Sequence, residues 1–231
     1  MGKRDFEGMR GEEYERLYAR FLKRPVDELL ELRGGVAGKN VLDICAGGLR
    51  ASARAKELGA DFVCAVDISE EMMEGAPAGR RRPDRCVVSD VSRWTGDGTR
   101  FVGRRDFHLA ICQQAVNYWW NSETVGTIAS VLRDDGYFVF NTFVACPDAV
   151  PKRKEYEIDG VQYAEEYWLV GNYVVHTQIC GDEEHHSKFR WISEREFLDV
   201  LQDHFQEVEC DVAPNKTTAI FVARKKLTNG N

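Results

Sequence analysis

The chain has no run of about 18 apolar residues, so no membrane-spanning helix is expected. It has no Cys-x-x-Cys pair. Its seven cysteines are odd in number and scattered, with Cys45, Cys64, Cys86, Cys112 and Cys180 in or beside apolar runs. That argues against zinc and dithiol motifs and for buried, reduced thiols in a cytoplasmic protein. Basic excess is missing too: 31 Lys and Arg stand against 38 Asp and Glu, a formal charge of −7. A non-specific nucleic-acid binder needs a basic face, so no nucleic-acid partner is expected. The basic runs Arg80-Arg81-Arg82 and Lys152-Arg153-Lys154 adjoin prolines and polar residues and read as solvated loops. The N-terminus, MGKRDFEGMRGEEYERLY, lacks an apolar core, so a secretory signal is not expected. Phe6 stands where myristoylation after Gly2 wants Ser or Thr. There is no internal repeat and no low-complexity segment.

What is present is an alternation of short apolar runs with helical periods. Tyr14, Leu17, Tyr18, Phe21 and Leu22 recur at helical spacing, Pro25 restarts a helix carrying Val26, Leu29 and Leu30, and Gly34-Gly35 ends it. Strands are expected at 41–45, 62–66, 86–89, 107–112 and 137–143, with helices after the first, second and fourth. Such alternation implies right-handed crossovers and a mostly parallel sheet within a single domain over residues 1–231. From 155 to 180 the pattern becomes that of antiparallel strands turning at Asp159-Gly160 and Gly171-Asn172. Ser193 with Glu196 forms a capping box for a helix at 193–203, and strands at 208–212 and 218–223 close the chain.

The strongest local signal is VLDICAGGLR at 41–50, a strand entering a glycine turn and then a helix. Such a turn lets a ligand approach bare backbone, and the helix start offers free N–H donors. Asp67 ends the second strand, twenty residues beyond Gly47. A carboxylate there can accept two ribose hydroxyls, or can cap the next helix. The turn lacks G-x-G-x-x-G spacing, which argues against a dinucleotide dehydrogenase.

The ordered series VLDICAGG, AVDISEEMM, VVSDVSRW, FHLAICQQAVNYW and VLRDDGYFVFNTF resembles class I S-adenosylmethionine-dependent methyltransferases, over about residues 38 to 143 plus the closing AIFVARK. The resemblance implies an α/β, Rossmann-like, seven-stranded and mostly parallel sheet with helices on both faces. An antiparallel strand insertion, at 145–192, follows the fifth strand and lies over the active site. It implies S-adenosylmethionine as cofactor, with Asp43, Cys45, Ala46 and Gly47 facing its methionine part. Asp67 would hold the ribose, Ile68 would pack on adenine, Asp90 and the Val91 amide would meet the adenine edge, and Gln113 would lie under the sulfonium side. The N-terminal helices, 1–37, would form a lid, with Tyr14 and Tyr18 toward the cofactor. Two departures stand out. Cys45 and Leu49 occupy outer positions of the turn where the family has glycine, and His108 opens the fourth strand where the family has an acid.

Methyl transfer requires that nucleophile and methyl be brought together and water excluded. Gln114, Asn117 and Tyr118 follow the fourth strand at the ligand-binding end of such sheets and are the candidate catalytic residues. Asn117-Tyr118 lacks the prolines of adenine-N6 DNA methyltransferases. The insertion at 145–192 resembles that of small-molecule N-methyltransferases, such as those acting on amino sugars, and that resemblance implies a small-molecule acceptor methylated on nitrogen or oxygen. A protein methyltransferase and a ligand-binding protein without catalysis are the alternatives. No metal site is expected: Asp182-Glu183-Glu184-His185-His186 reads as a solvated turn. Strands 155–180 carry large residues in both alternating sets, so one face is expected to cover the domain and the other either substrate or a second subunit; the segment is expected to form the acceptor pocket with Gln114, Asn117 and Tyr118, a two-fold homodimer contact being the further possibility.

Overall fold

The computed structural model describes residues 26–144, 153–158, 160–180, 183–213 and 218–225. The chain enters as a helix, α1, described over residues 26–31. There follow β1 (Asn40–Ile44), α2 (Arg50–Glu57), β2 (Phe62–Asp67), α3 (Glu70–Glu74), β3 (Arg85–Val88), α4 (Thr99–Val102), β4 (Phe107–Gln113), α5 (Ser122–Val131) and β5 (Leu132–Phe143). Then come β6 (Arg153–Ile158), β7 (Val161–Val170), β8 (Tyr173–Cys180), β9 (Glu183–Arg190), α6 (Glu194–His204), β10 (Phe205–Val212) and β11 (Thr218–Lys225).

Seven strands form one sheet in the order β10-β11-β5-β4-β1-β2-β3, and β6-β7-β8-β9 form a second sheet. The first five strands of the main sheet are parallel, and β11 enters antiparallel between β5 and β10. Strand alternation builds two cores. On β1 and β4, Leu42, Ile44, Ala110 and Cys112 face α5 and α6, where Val125, Ile128, Phe197 and Leu201 are buried. Val41, Leu109 and Ile111 face the opposite way, toward Ala51 and Ala55 of α2 and Val26, Leu29 and Leu30 of α1. Both faces of the sheet's centre are thus covered, which is why strands such as β1, β2 and β4 read as nearly continuous apolar runs. The described part of α1 belongs to this packed layer. Tyr14, Tyr18 and the rest of 1–25 lie outside the described residues.

Three sequence expectations need correction. Residues from Glu183 onward are a strand rather than a turn. The eight residues of β9 pair in register with β8, from Cys180↔Glu183 to Tyr173↔Arg190. At the edge of its sheet β9 has one partner, so its polar composition is compatible with a strand. The arginine run is not merely solvated. Arg80 Nη1 donates to Gly48 O at 2.6 Å, Arg81 Nη1 to Lys56 O at 3.2 Å, and Arg82 Nη1 to Met73 O at 2.7 Å. These carbonyls lie in the turn before α2 and in the last turns of α2 and α3, where intrahelical donors run out. Finally, β5 starts at Leu132, because the Asp134-Asp135-Gly136 turn is a register shift against β4 between Phe107 and Leu109.

At the opposite edge of the sheet from the β1 turn, the Asn40 N–H donates to His108 Nδ1 at 3.1 Å, and Arg133 Nη1 lies 2.8 Å from His108 Nε2. Burial and the charges of Arg133 and Lys39 hold this imidazole below its usual pKa.

Candidate active site

At the carboxyl end of β1 the backbone turns left-handed at three alternate residues: Cys45 (φ 56°), Gly47 (φ 48°) and Leu49 (φ 61°). Only the middle one is glycine, the residue that takes such angles without steric cost. A side chain at Gly47 would place its Cβ 3.3 Å from Met72 Cε. The other two positions are held by what surrounds them. Leu49 is fully buried with Ala65, Met73 and Ala76. The Cys45 thiol meets Cys112 of β4, and that contact, then enclosure, pushes its pKa well above the usual range. Apolar burial of about 2 kcal/mol for a leucine side chain is of the size needed to offset a left-handed backbone costing about 1–2 kcal/mol.

Two buried carboxylates fix the turn from below. Asp43 accepts from the Ser52 N–H at 2.8 Å and the Ser52 hydroxyl at 2.6 Å, both on the same oxygen. It thereby ties β1 to the first turn of α2, where the N–H is free and the helix dipole favours an anion. Burial nonetheless pushes the Asp43 carboxyl up to about 7. Asp67 ends β2 and accepts the Gly47 N–H at 2.7 Å on one oxygen and the Ser69 N–H at 2.9 Å on the other. Burial raises its pKa, and the amides of Ser69, Gly47 and Ile68 oppose that rise. The cap of α3 is Ser69, whose side chain accepts from Met72 N–H.

Next to Asp67, Ile68 is 41% exposed although it follows a buried strand. Beyond β3, Asp90 Oδ1 accepts from the Ser92 N–H at 3.1 Å and the Ser92 hydroxyl at 2.6 Å, while Oδ2 lies 3.2 Å from Arg93 Nε. Val91 starts the short 3-10 turn that Asp90 caps and is buried. Asp43, Cys45, Ala46, Gly47, Asp67, Ile68, Asp90 and Val91 therefore gather at the carboxyl ends of β1, β2 and β3, and Gln113 ends the neighbouring β4.

After β4 the chain turns left-handed again at Gln114 (φ 54°), whose N–H is shared between Asn141 O and Asn141 Oδ1, each at 3.1 Å. The three named residues then part in role. The Gln114 side chain is exposed and Tyr118 is 40% exposed. Asn117 is buried, with Nδ2 donating to Arg190 O at 3.1 Å and Oδ1 accepting from the Thr142 hydroxyl. Both ends of its amide are thus engaged within the protein, linking the β4 loop to β5 and to the last residue of β9. Above this loop stands the second sheet. Phe189 of β9 meets Tyr118 edge-on at 5.9 Å and Phe143 of β5 at 6.2 Å. Tyr167 of β7 stacks parallel on Phe143 at 6.3 Å. Sequence reading missed Phe143, Phe189 and Glu165 in this region, and the aromatic content of the strand ends was the available signal. No group of metal-ligating side chains occurs among the described residues.

No family model and no curated protein sequence matches the chain. Solved structures do. An S-adenosylmethionine-dependent methyltransferase from Clostridium acetobutylicum is 14% identical with a TM-score of 0.69, covering 93% of this chain and 98% of its own. An amino pentose methyltransferase from Micromonospora echinaspora involved in calicheamicin biosynthesis is 16% identical with a TM-score of 0.68, covering 92% and 96%. The 1,6-didemethyltoxoflavin-N1-methyltransferase of Burkholderia thailandensis, solved with 1,6-didemethyltoxoflavin and S-adenosylhomocysteine, is 21% identical with a TM-score of 0.56, covering 93% and 86%. The chain has the Rossmann-like fold of these methyltransferases, including the antiparallel strands after β5.

Proposed function

We propose that the protein transfers a methyl group from S-adenosylmethionine to a nitrogen or oxygen of a small-molecule acceptor. The observation that carries this reading is the turn after β1. Three successive alternate residues keep left-handed angles although two are not glycine, and Gly47 offers a bare backbone surface beside Asp67 and the exposed Ile68. These residues fit the cofactor. Gly47 presents backbone without a Cβ at a left-handed angle, and Ile68 offers an apolar surface for a planar base. The Asp67 carboxylate retains acceptor capacity after serving the backbone amides around it, enough for a ribose hydroxyl. When bound, S-adenosylmethionine supplies a methyl group activated by its sulfonium.

The chain's own part is positional. Asp43 and Asp67 hold the turn, Asn117 holds the loop after β4 against β5 and β9, and the second sheet excludes water above it. Gln114 and Tyr118, exposed beneath that sheet, are the groups placed to meet an acceptor, and Asn117 serves them as a strut. The small-molecule acceptors named for the Micromonospora and Burkholderia enzymes support the same class here.

Asp67→Ala tests the site. It is expected to weaken S-adenosylhomocysteine binding by about 2 kcal/mol or more in titration calorimetry, since buried donors lose a charged acceptor. Transfer of label from methyl-tritiated S-adenosylmethionine to a panel of amines and alcohols should fall with it. An affinity within a few tenths of a kcal/mol of the unaltered protein would place the nucleotide elsewhere.

A further inference from the structure

Strand alternation puts Glu165, Tyr167 and Leu169 of β7 on one face, with Val174, His176 and Gln178 of β8 and Phe189 of β9 across from them or beyond. This is the face turned toward the main domain, since Tyr167 stacks on Phe143 and Phe189 meets both Phe143 and Tyr118. His176 stacks on Tyr167 at 4.4 Å and 9°, so three near-parallel rings lead from the end of β5 up to β8.

Glu165 sits beside this ladder with its side chain only 19% exposed. Its contacts are all long. Tyr167 Oη donates at 3.2 Å, Gln178 Nε2 at 3.5 Å, and His176 Nε2 stands 3.7 Å from Oε1. The buried carboxylates Asp43 and Asp67 are held at 2.6–2.9 Å. His176 Nε2 is itself buried with no hydrogen-bond partner among the described residues. Lys154, opposite Glu165 on β6, is exposed, and Arg153 pairs instead with Glu155 and Glu166. Burial alone would raise the Glu165 pKa, yet His176, Gln178 and Tyr167 outweigh it and hold the group below the usual glutamate value. The result is a largely buried anion that, among the described residues, has no donor at the short distance of a charge-assisted hydrogen bond, next to a wall of rings.

We propose that Glu165 anchors a positively charged nitrogen group of the methyl acceptor, which makes the acceptor a basic amine. This rests on the methyltransferase reading above and adds the acceptor's chemical class. An ammonium N–H supplies the short, strong donor that Glu165 lacks. The exposed ring of Tyr118 attracts a cation as well. An anionic acceptor is repelled by the same carboxylate, and a neutral one gains nothing from its charge.

The test uses the full chain saturated with S-adenosylhomocysteine and two ring-shaped probes of equal size, piperidinium chloride and neutral tetrahydropyran. Dissociation constants are measured by ligand-observed NMR. The unaltered protein is expected to favour piperidinium by about tenfold or more, equivalent to about 1.4 kcal/mol. Glu165→Gln should abolish that preference while leaving S-adenosylhomocysteine affinity and melting temperature unchanged. If the Gln variant melts early, Glu165→Asp, which keeps the charge on a shorter stem, should reduce the preference without removing it. Equal binding of the two probes, or a preference unaltered in these variants, overturns the proposal while S-adenosylhomocysteine binding stands. Failure of S-adenosylhomocysteine to bind overturns the methyltransferase reading itself, and this proposal with it.

Discussion

At the scale of single residues, the turn after β1 separates conformation from composition. Leu49 combines a left-handed backbone with complete burial, so its two contributions can be separated by substitution. Leu49→Ala should cost about 2–5 kcal/mol, because a buried side chain is lost while the backbone strain remains. Leu49→Gly should cost less by about 1 kcal/mol, because glycine accepts the angle. Urea denaturation of both variants decides this, and an alanine variant more stable than the glycine one would contradict the account. Asp43 supplies a pH signature. Burial puts its folded pKa at about 7, above the ordinary aspartate value of 3.8, so the folded state binds the extra proton. Its contribution is therefore fully present below about 3.8 and is lost as pH rises through 7. Between pH 5 and 8 the unaltered protein should lose stability relative to Asp43→Asn, by an amount on the order of a few kcal/mol. Parallel curves for the two proteins across that range would show that the acid is ionised throughout. The turn at Gly47 and the place of Asp67 at the end of β2 were legible in the sequence because their spacing belongs to a strand-turn-helix unit, whereas Ile68 was singled out by the family resemblance alone. The strained angles at Cys45 and Leu49 were not legible, since nothing local announces them: burial of Leu49 and the contact of Cys45 with Cys112 come from strands and helices distant in the chain.

At the scale of elements, alternation was legible wherever one or both faces of a strand are buried, as in β1, β2, β4 and β11. It failed at β9, where Glu183 to Arg190 form an edge strand of mostly polar sequence and only pairing with β8 identifies it. It was silent on the arginines at 80–82, whose carbonyl partners lie up to 32 residues away. The two-sided apolar character of β7 and β8 was legible, and the structure assigns the sides. Tyr167 lies between Phe143 and His176, whereas the next residue, Trp168, is 46% exposed. Glutamate substitutions should therefore part company. Tyr167→Glu should lower the melting temperature by several degrees, because a charge is placed between stacked rings at a cost of roughly 2 kcal/mol or more. Trp168→Glu should leave it nearly unchanged. Equal melting temperatures for the two variants would mean that β7 does not pack as described. Light scattering on the Trp168 variant reads whether the outer face, with Val170 and Tyr173 also exposed, joins two subunits.

At the scale of the whole molecule, the strand order places the β1 turn, Asp67, Asp90 and Gln113 along one edge of the main sheet, and the second sheet stands over the β4 and β5 part of that edge. A nucleotide held along β1 to β3 would thus present its reactive end toward Gln114, Tyr118 and the ring-lined face of β7 to β9. The order of motifs along the chain leads to the same expectation. The strut made by Asn117 was not legible there, because it depends on Thr142 and on Arg190, distant in sequence and brought close by the second sheet. The central claim is that this edge binds S-adenosylmethionine. Titration calorimetry of the full chain with S-adenosylmethionine and S-adenosylhomocysteine tests it most directly. The expected result is one saturable site for each, with dissociation constants roughly in the micromolar range, and stabilisation against heat of about 2.7 kcal/mol at a hundredfold excess over the dissociation constant. No saturable heat from either compound at concentrations up to about 1 mM would contradict it, since binding weaker than about 4 kcal/mol is not what a fixed turn with an aligned carboxylate should give.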